Sequence, residues 1–152
     1  MDFLSFDEGE DYVLNNGLVG ATVYFLISSK ALPANVNSPA SGELGGGDTL
    51  VGGVGEVAYW TGGGRQTQVL GAASAGILPL ATETWNTGAN TDGPSAARSV
   101  IMVSTPNNSG VAIAAWPITD DVGAHVVADL SNENAQLVLA GVNYFYLNVG
   151  EV

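Results

Sequence analysis

The spacing of apolar positions in this chain changes once. Near the start, Ser5 followed three residues later by Glu8 fits a capping box, with Asp7, Glu8, Glu10 and Asp11 suited to the positive end of a helix dipole. Phe6, Val13 and Leu14 then fall on one face, and "NNG" at residues 15–17 supplies a stop. The pattern predicts a short helix over about residues 6–14, weakened by Gly9. From residue 21 onward the apolar residues come instead in short runs between turn-formers. "ATVYFLISS", "GEVAYWTGGG", "ARSVIMVST", "GVAIAAWPI", "AHVVADL", "AQLVLAG" and "VNYFYLNV" all read as strands. Two of these runs flank "TPNNSG", the composition of a hairpin loop.

Between the strands lie "ALPANVNSPASGELGGGD", a long loop with two prolines and a glycine triplet, and the middle stretch over residues 62–94. The middle has small residues throughout, Pro79 and Pro94 as breakers and no sustained period, so it is expected to hold one strand around residues 77–81 and otherwise loops. Loops of such length in a compact domain usually bind something or meet a neighbour. The closing "ENAQLVLAGVNYFYLNVGEV" is two strands broken at Ala140 and Gly141. In the second, Tyr144 and Tyr146 alternate with Phe145 and Leu147, so one set enters the core and the other is available to a neighbour. The expected architecture is all-β: a single β-sandwich or jelly-roll-like domain over residues 18–152, with long Gly-rich loops and a helical arm over residues 1–17.

Composition narrows the partners. At 152 residues the chain is one ordinary domain. Only 12% of it is charged, where roughly 25% is usual. Fifteen Asp and Glu stand against Lys30, Arg65 and Arg98, a formal net charge of −12, so nucleic acid is not an expected partner. Neither is a membrane, since no stretch approaches the ~18 consecutive apolar residues of a spanning helix, and "MDFLSFDEGED" lacks the positive start and apolar core of a secretory signal. Without cysteine there is no disulfide framework and no thiolate zinc site. A surface with a single lysine departs from the mixed Lys and Glu cover of a lone monomer, and points to burial against neighbouring subunits, with a plain acidic, glycine-rich β domain as the alternative.

Chemical signatures are scarce. Neither "GGGDTLVGGVGEV" nor "TGGGRQTQ" ends in the Gly-Lys-Ser/Thr of a phosphate loop, and "GAASAG" around Ser74 has the wrong spacing for a nucleophile elbow. A Ser-His-Asp site would require His125, which lies in a strand-like segment with nothing local to assemble it. Asn86, Asn90 and Asp92 ahead of Gly93 are oxygen donors without the spacing of a calcium loop, and turn chemistry explains them. No enzymatic activity, cofactor or metal is expected. Among the aromatic residues, Trp116 in its apolar strand reads as core, whereas Trp85, between Thr84 and Asn86 in a polar stretch, is the candidate for stacking on a glycan ligand.

Taken in order, "LNNGL", "TVYFLISS", "EVAYW", a tryptophan in a Thr/Asn-rich stretch, "RSVIMVSTPNNSGVAIAAW" and "NAQLVLAGVNYFYL" resemble a family of small virion proteins of tailed bacteriophages, variously called capsid decoration, cement or tail-fibre-like proteins. The resemblance covers most of the chain, through spaced apolar patterns and turns. It departs at "EVAYWTGGGR", where the family often has an arginine close behind the tyrosine; here Trp60 follows Tyr59 and Arg65 lies beyond three glycines, so no contact is carried over to Arg65. The resemblance implies a β-sandwich that clusters, as a trimer, on the outside of a capsid after synthesis in the host cytoplasm, with the major capsid protein as partner. The alternative is a tail- or head-fibre module that binds host glycan through Trp85. Candidate interface residues are Phe3 and Phe6 in the N-terminal segment, the scarce cations Lys30, Arg65 and Arg98, and Tyr144 and Tyr146 in the last strand.

Overall fold

A computed structural model describes residues 4–5, 13, 16–29, 64–72, 77–106, 111–120, 122–140 and 143–146. They form an all-β chain of nine strands: β1 (Leu4–Ser5), β2 (Thr22–Ser28), β3 (Gln66–Val69), β4 (Ile77–Pro79), β5 (Glu83–Asn86), β6 (Ser99–Val103), β7 (Ala112–Pro117), β8 (Gln136–Leu139) and β9 (Asn143–Tyr146). A five-stranded antiparallel sheet has the order β1-β7-β6-β2-β3, and two smaller antiparallel pairs join β4 to β9 and β5 to β8.

The register explains the sequence pattern of the central strands. Phe25 stands opposite Met102, Ile27 opposite Val100, and Val100 opposite Trp116. These side chains line one face and share a buried apolar cluster with Leu78 of β4, Trp85 of β5, and Leu137 and Leu139 of β8. Phe25 and Trp116 pack as tilted rings with centroids 6.1 Å apart. On the other face Leu26, Ile101 and Ala115 stand in line, and with Val103 and Ala112 they make a second buried cluster. With both faces covered, β6 and β7 are apolar almost throughout, which is why "SVIMV" and "AIAAWP" do not alternate. A bulge between Met102 and Val103 leaves Ile113 unpaired and lets both Ile113 and Ala114 join the first cluster.

The expected hairpin is present: β6 and β7 pair, and Ser104 and Val111 close it, the Ser104 N–H donating to the Val111 carbonyl at 3.0 Å and the Val111 N–H to Ser104 Oγ at 2.9 Å. The expected helix lies outside the described residues apart from Val13, whose backbone is helical. Its stop is visible: the Gly17 N–H donates to the Val13 carbonyl at 2.9 Å, and Gly17 sits at φ +72°, the left-handed geometry that ends a helix at little cost for glycine. The strand expected in "GEVAYWTGGG" also lies outside the described residues, save Gly64.

Two expectations are corrected. "AHVVADL" is not a ladder strand: it makes only isolated bridges, His125 to Thr119 and Ala128 to Ala97. The middle stretch holds three strands rather than one, since β3 and β5 were hidden by their polar outer positions.

β3 shows how such a polar edge is held. Gln66 and Gln68 stand opposite Phe25 and Val23, on the face that carries the core. The Gln68 amide accepts from the Ala81 N–H at 2.9 Å and donates to the Ala81 carbonyl at 3.3 Å and to Glu83 Oε1 at 2.6 Å, so one side chain ties the sheet edge to the start of β5. Gln68→Ala is expected to lower stability by about 1 kcal/mol in urea titrations. Gln68→Glu should cost more, because a carboxylate then faces Glu83; wild-type stability in both variants would show the link to be idle.

Candidate functional site

Among the described residues, three of the six exposed valines lie in one segment. It is an arm over residues 118–130, between the end of β7 and the turn that leads to β8. Its base is fixed by backbone bonds: Ile118 N–H to the Arg98 carbonyl at 3.0 Å, Val126 N–H to the Ile118 carbonyl at 2.9 Å, Ala128 N–H to the Ala97 carbonyl at 2.8 Å and Leu130 N–H to the Pro94 carbonyl at 2.7 Å. Ile118 and Leu130 are buried in the main core and anchor both ends.

Asp120 closes the tip. Its Oδ1 accepts from the Val122 N–H at 3.1 Å and the Ala124 N–H at 2.8 Å, and its own N–H donates to the Ala124 carbonyl at 3.0 Å. At the far end Asp129 Oδ1 accepts from the Ser131 hydroxyl and from the Ser131 N–H at 2.9 Å. These bonds, with Asn132 adding a smaller contribution, hold the Asp129 carboxyl below the usual aspartate range. Between the two aspartates every residue from 122 to 127 is exposed, Val122 at 88%, Val127 at 45% and Val126 at 36%. Bulky apolar side chains therefore stand in water on a backbone tied by hydrogen bonds at tip and base.

The residues marked out from sequence fall in different places. Trp85 is corrected: it is 0% exposed, stands opposite Leu137 in the main core, and its indole N–H donates to the Gly64 carbonyl at 3.0 Å. A ring so enclosed cannot stack on a glycan. Trp116 is buried, as its apolar strand predicts. Arg65 is half-buried and its Nη1 donates to the Thr105 carbonyl at 3.0 Å, so part of its hydrogen-bonding capacity ties β3 to the β6–β7 loop. Arg98 is exposed, and its backbone carbonyl receives the base of the arm. Phe3, Phe6 and Lys30 lie outside the described residues, as do the side chains of Tyr144 and Tyr146; their strand β9 places the Phe145 backbone opposite Leu78, which is buried.

His125 is exposed on the arm. Asn86 and Asn90 are engaged in a turn, Asn86 Oδ1 accepting from the Gly88 N–H at 2.8 Å and Asn90 Nδ2 donating to the Thr87 carbonyl at 2.9 Å. That turn is fastened to the next by Thr87, buried, whose hydroxyl donates to the Asn132 carbonyl at 2.8 Å. Among the described residues no three of His, Asp and Glu are grouped as metal ligands would be, and no helix is long and apolar enough to cross a membrane. The sequence reading missed the arm because its valines read as an ordinary strand. The signal that could have found it was the aspartate at each end of "DDVGAHVVAD", which reads as a capped loop.

No family model matches the chain, and no curated protein or solved structure matches it. Fold and surface together define the class: an all-β protein whose described surface bears an arm with three exposed valines.

Proposed function

We propose that this chain is a structural protein of a bacteriophage virion that binds the outside of the capsid and stabilises it by bridging neighbouring subunits. Its partners are the major capsid protein and further copies of itself, clustered as a trimer. The observation that carries this reading is the set of three exposed valines, Val122, Val126 and Val127, on a hydrogen-bonded arm of a chain of net charge −12. Exposed apolar surface on an ordered backbone favours association, because little conformational freedom remains to be lost on binding. The acidic balance suits an outward-facing protein kept apart from nucleic acid and from other particles. The resemblance of its strand and turn pattern to phage decoration proteins supplies the setting. The glycan-binding alternative rested on Trp85, and burial removes that ring from the surface.

The mechanism is mass action. A protein that binds the assembled shell and not the separated subunits stabilises the shell by RT ln(1 + [L]/Kd), about 2.7 kcal/mol per site when free protein is at 100 times Kd. Purified protein added to capsids that lack it should raise their disruption temperature in a saturable way. Capsids that neither bind it nor change in disruption temperature would refute the reading.

A further inference from the structure

We propose that the arm over residues 118–130 is the element that docks on the shell, and that it enters an apolar depression rimmed by lysine or arginine on the capsid protein. The inference rests on the function proposed above and names the surface that carries it. Three observations support it.

The first is exposure on a hydrogen-bonded backbone. Val122, Val126 and Val127 are exposed, yet the backbone beneath them is fixed by Asp120 at the tip and by bonds to Pro94, Ala97 and Arg98 at the base. An element held in this way loses little entropy when it is covered. The second is continuity. Every residue from 122 to 127 is exposed, with Val126 and Val127 adjacent, so a partner meets an unbroken stretch of surface there. The third is charge. Residues 118–130 carry Asp120, Asp121 and Asp129 and no lysine or arginine, and the whole chain has three cations against fifteen acids. Among the described residues, Arg98 is the one cation whose backbone bonds to the arm. A second copy of this chain would bring like charge to the same place, whereas a depression with a basic rim would gain from the aspartates while burying the valines.

Two of the three other exposed valines supply a control. Val19 and Val69, at 62% and 68% exposure, lie in the turn before β2 and on the edge strand β3, Val69 opposite Thr22. They are equally apolar and are not flanked by aspartates at both ends.

The test uses the full chain and purified capsids that lack it, with binding measured at low and high salt. Val122→Ser and the double variant Val126→Ser/Val127→Ser should each weaken binding by about tenfold or more, the loss expected when a buried valine becomes polar. Their melting temperatures should stay close to wild type, because the side chains are exposed in the free protein. Val19→Ser/Val69→Ser should bind as wild type does, and wild-type affinity should fall with salt. If the arm variants bind as tightly as wild type, the arm is not the docking element and the decoration reading stands without it. If wild-type protein fails to bind, both fall together. If the arm variants lose self-association and keep capsid binding, the occupant is a second copy and the inference is wrong.

Discussion

Replacing Trp85 with alanine lowers the stability of the chain by about 3–5 kcal/mol, the range for truncating a large aromatic side chain in a packed core. The side chain is fully buried beside Leu137, and its removal both opens a cavity in the main cluster and strands the Gly64 carbonyl that now receives the indole N–H. Trp85→Phe separates these contributions. It keeps most of the apolar contact, loses the donor, and is expected to cost about 1–3 kcal/mol. Urea titration of both variants measures the difference directly. A Trp85→Ala variant as stable as wild type would place the ring at the surface and restore the glycan-stacking role that burial removes.

Gly93→Ala is the second large effect, and it comes from the absence of space. A Cβ built on Gly93 lies 2.1 Å from the Leu130 carbonyl oxygen and 2.9 Å from its carbon. The obstacle is backbone, so it cannot swing aside like the end of a long side chain. It cannot easily retreat either, because the Leu130 N–H is bonded to the Pro94 carbonyl at 2.7 Å and the Leu130 side chain is anchored in the core. Gly93→Ala should cost about 3 kcal/mol, the upper end for overpacking a tight site. It should also loosen the base of the arm. Gly71, with nothing within 4 Å of the corresponding Cβ, is the matched control: Gly71→Ala should be neutral or slightly stabilising through the unfolded chain. Equal stability of the two variants would show that the close approach at Leu130 is not real.

How much of this was legible in the sequence depends on which faces each strand buries. β6 and β7 are covered on both sides, so their apolar runs read plainly as strands, and "TPNNSG" marked the hairpin between them. β2 and β8 were also legible, from β-branched and aliphatic residues. β5 was not, because "ETWN" turns Thr84 and Asn86 outward and has a single large apolar residue, Trp85, to turn inward. The same pattern produced the wrong role for Trp85: a lone tryptophan among polar neighbours looks like a ligand platform until the pairing with β8 shows that those neighbours are simply the outer face. β3 failed for a related reason, as an edge strand of two glutamines and a threonine. The arm erred in the other direction, since "HVV" has strand composition, while an aspartate turn and isolated bridges, and no ladder, hold it in place.

The common cause is that local composition reports how much a segment buries, and not which partner buries it. A segment that buries little, such as β3, resembles a loop; one whose valines stay exposed between buried ends, such as the arm, resembles a strand.

The proposed role on the capsid exterior is tested most directly by the copy number of the protein in purified virions. Quantitative mass spectrometry against the major capsid protein is expected to give a copy number on the scale of the shell's own subunits. Absence from the particle, or a handful of copies as a tail or fibre would require, would contradict it.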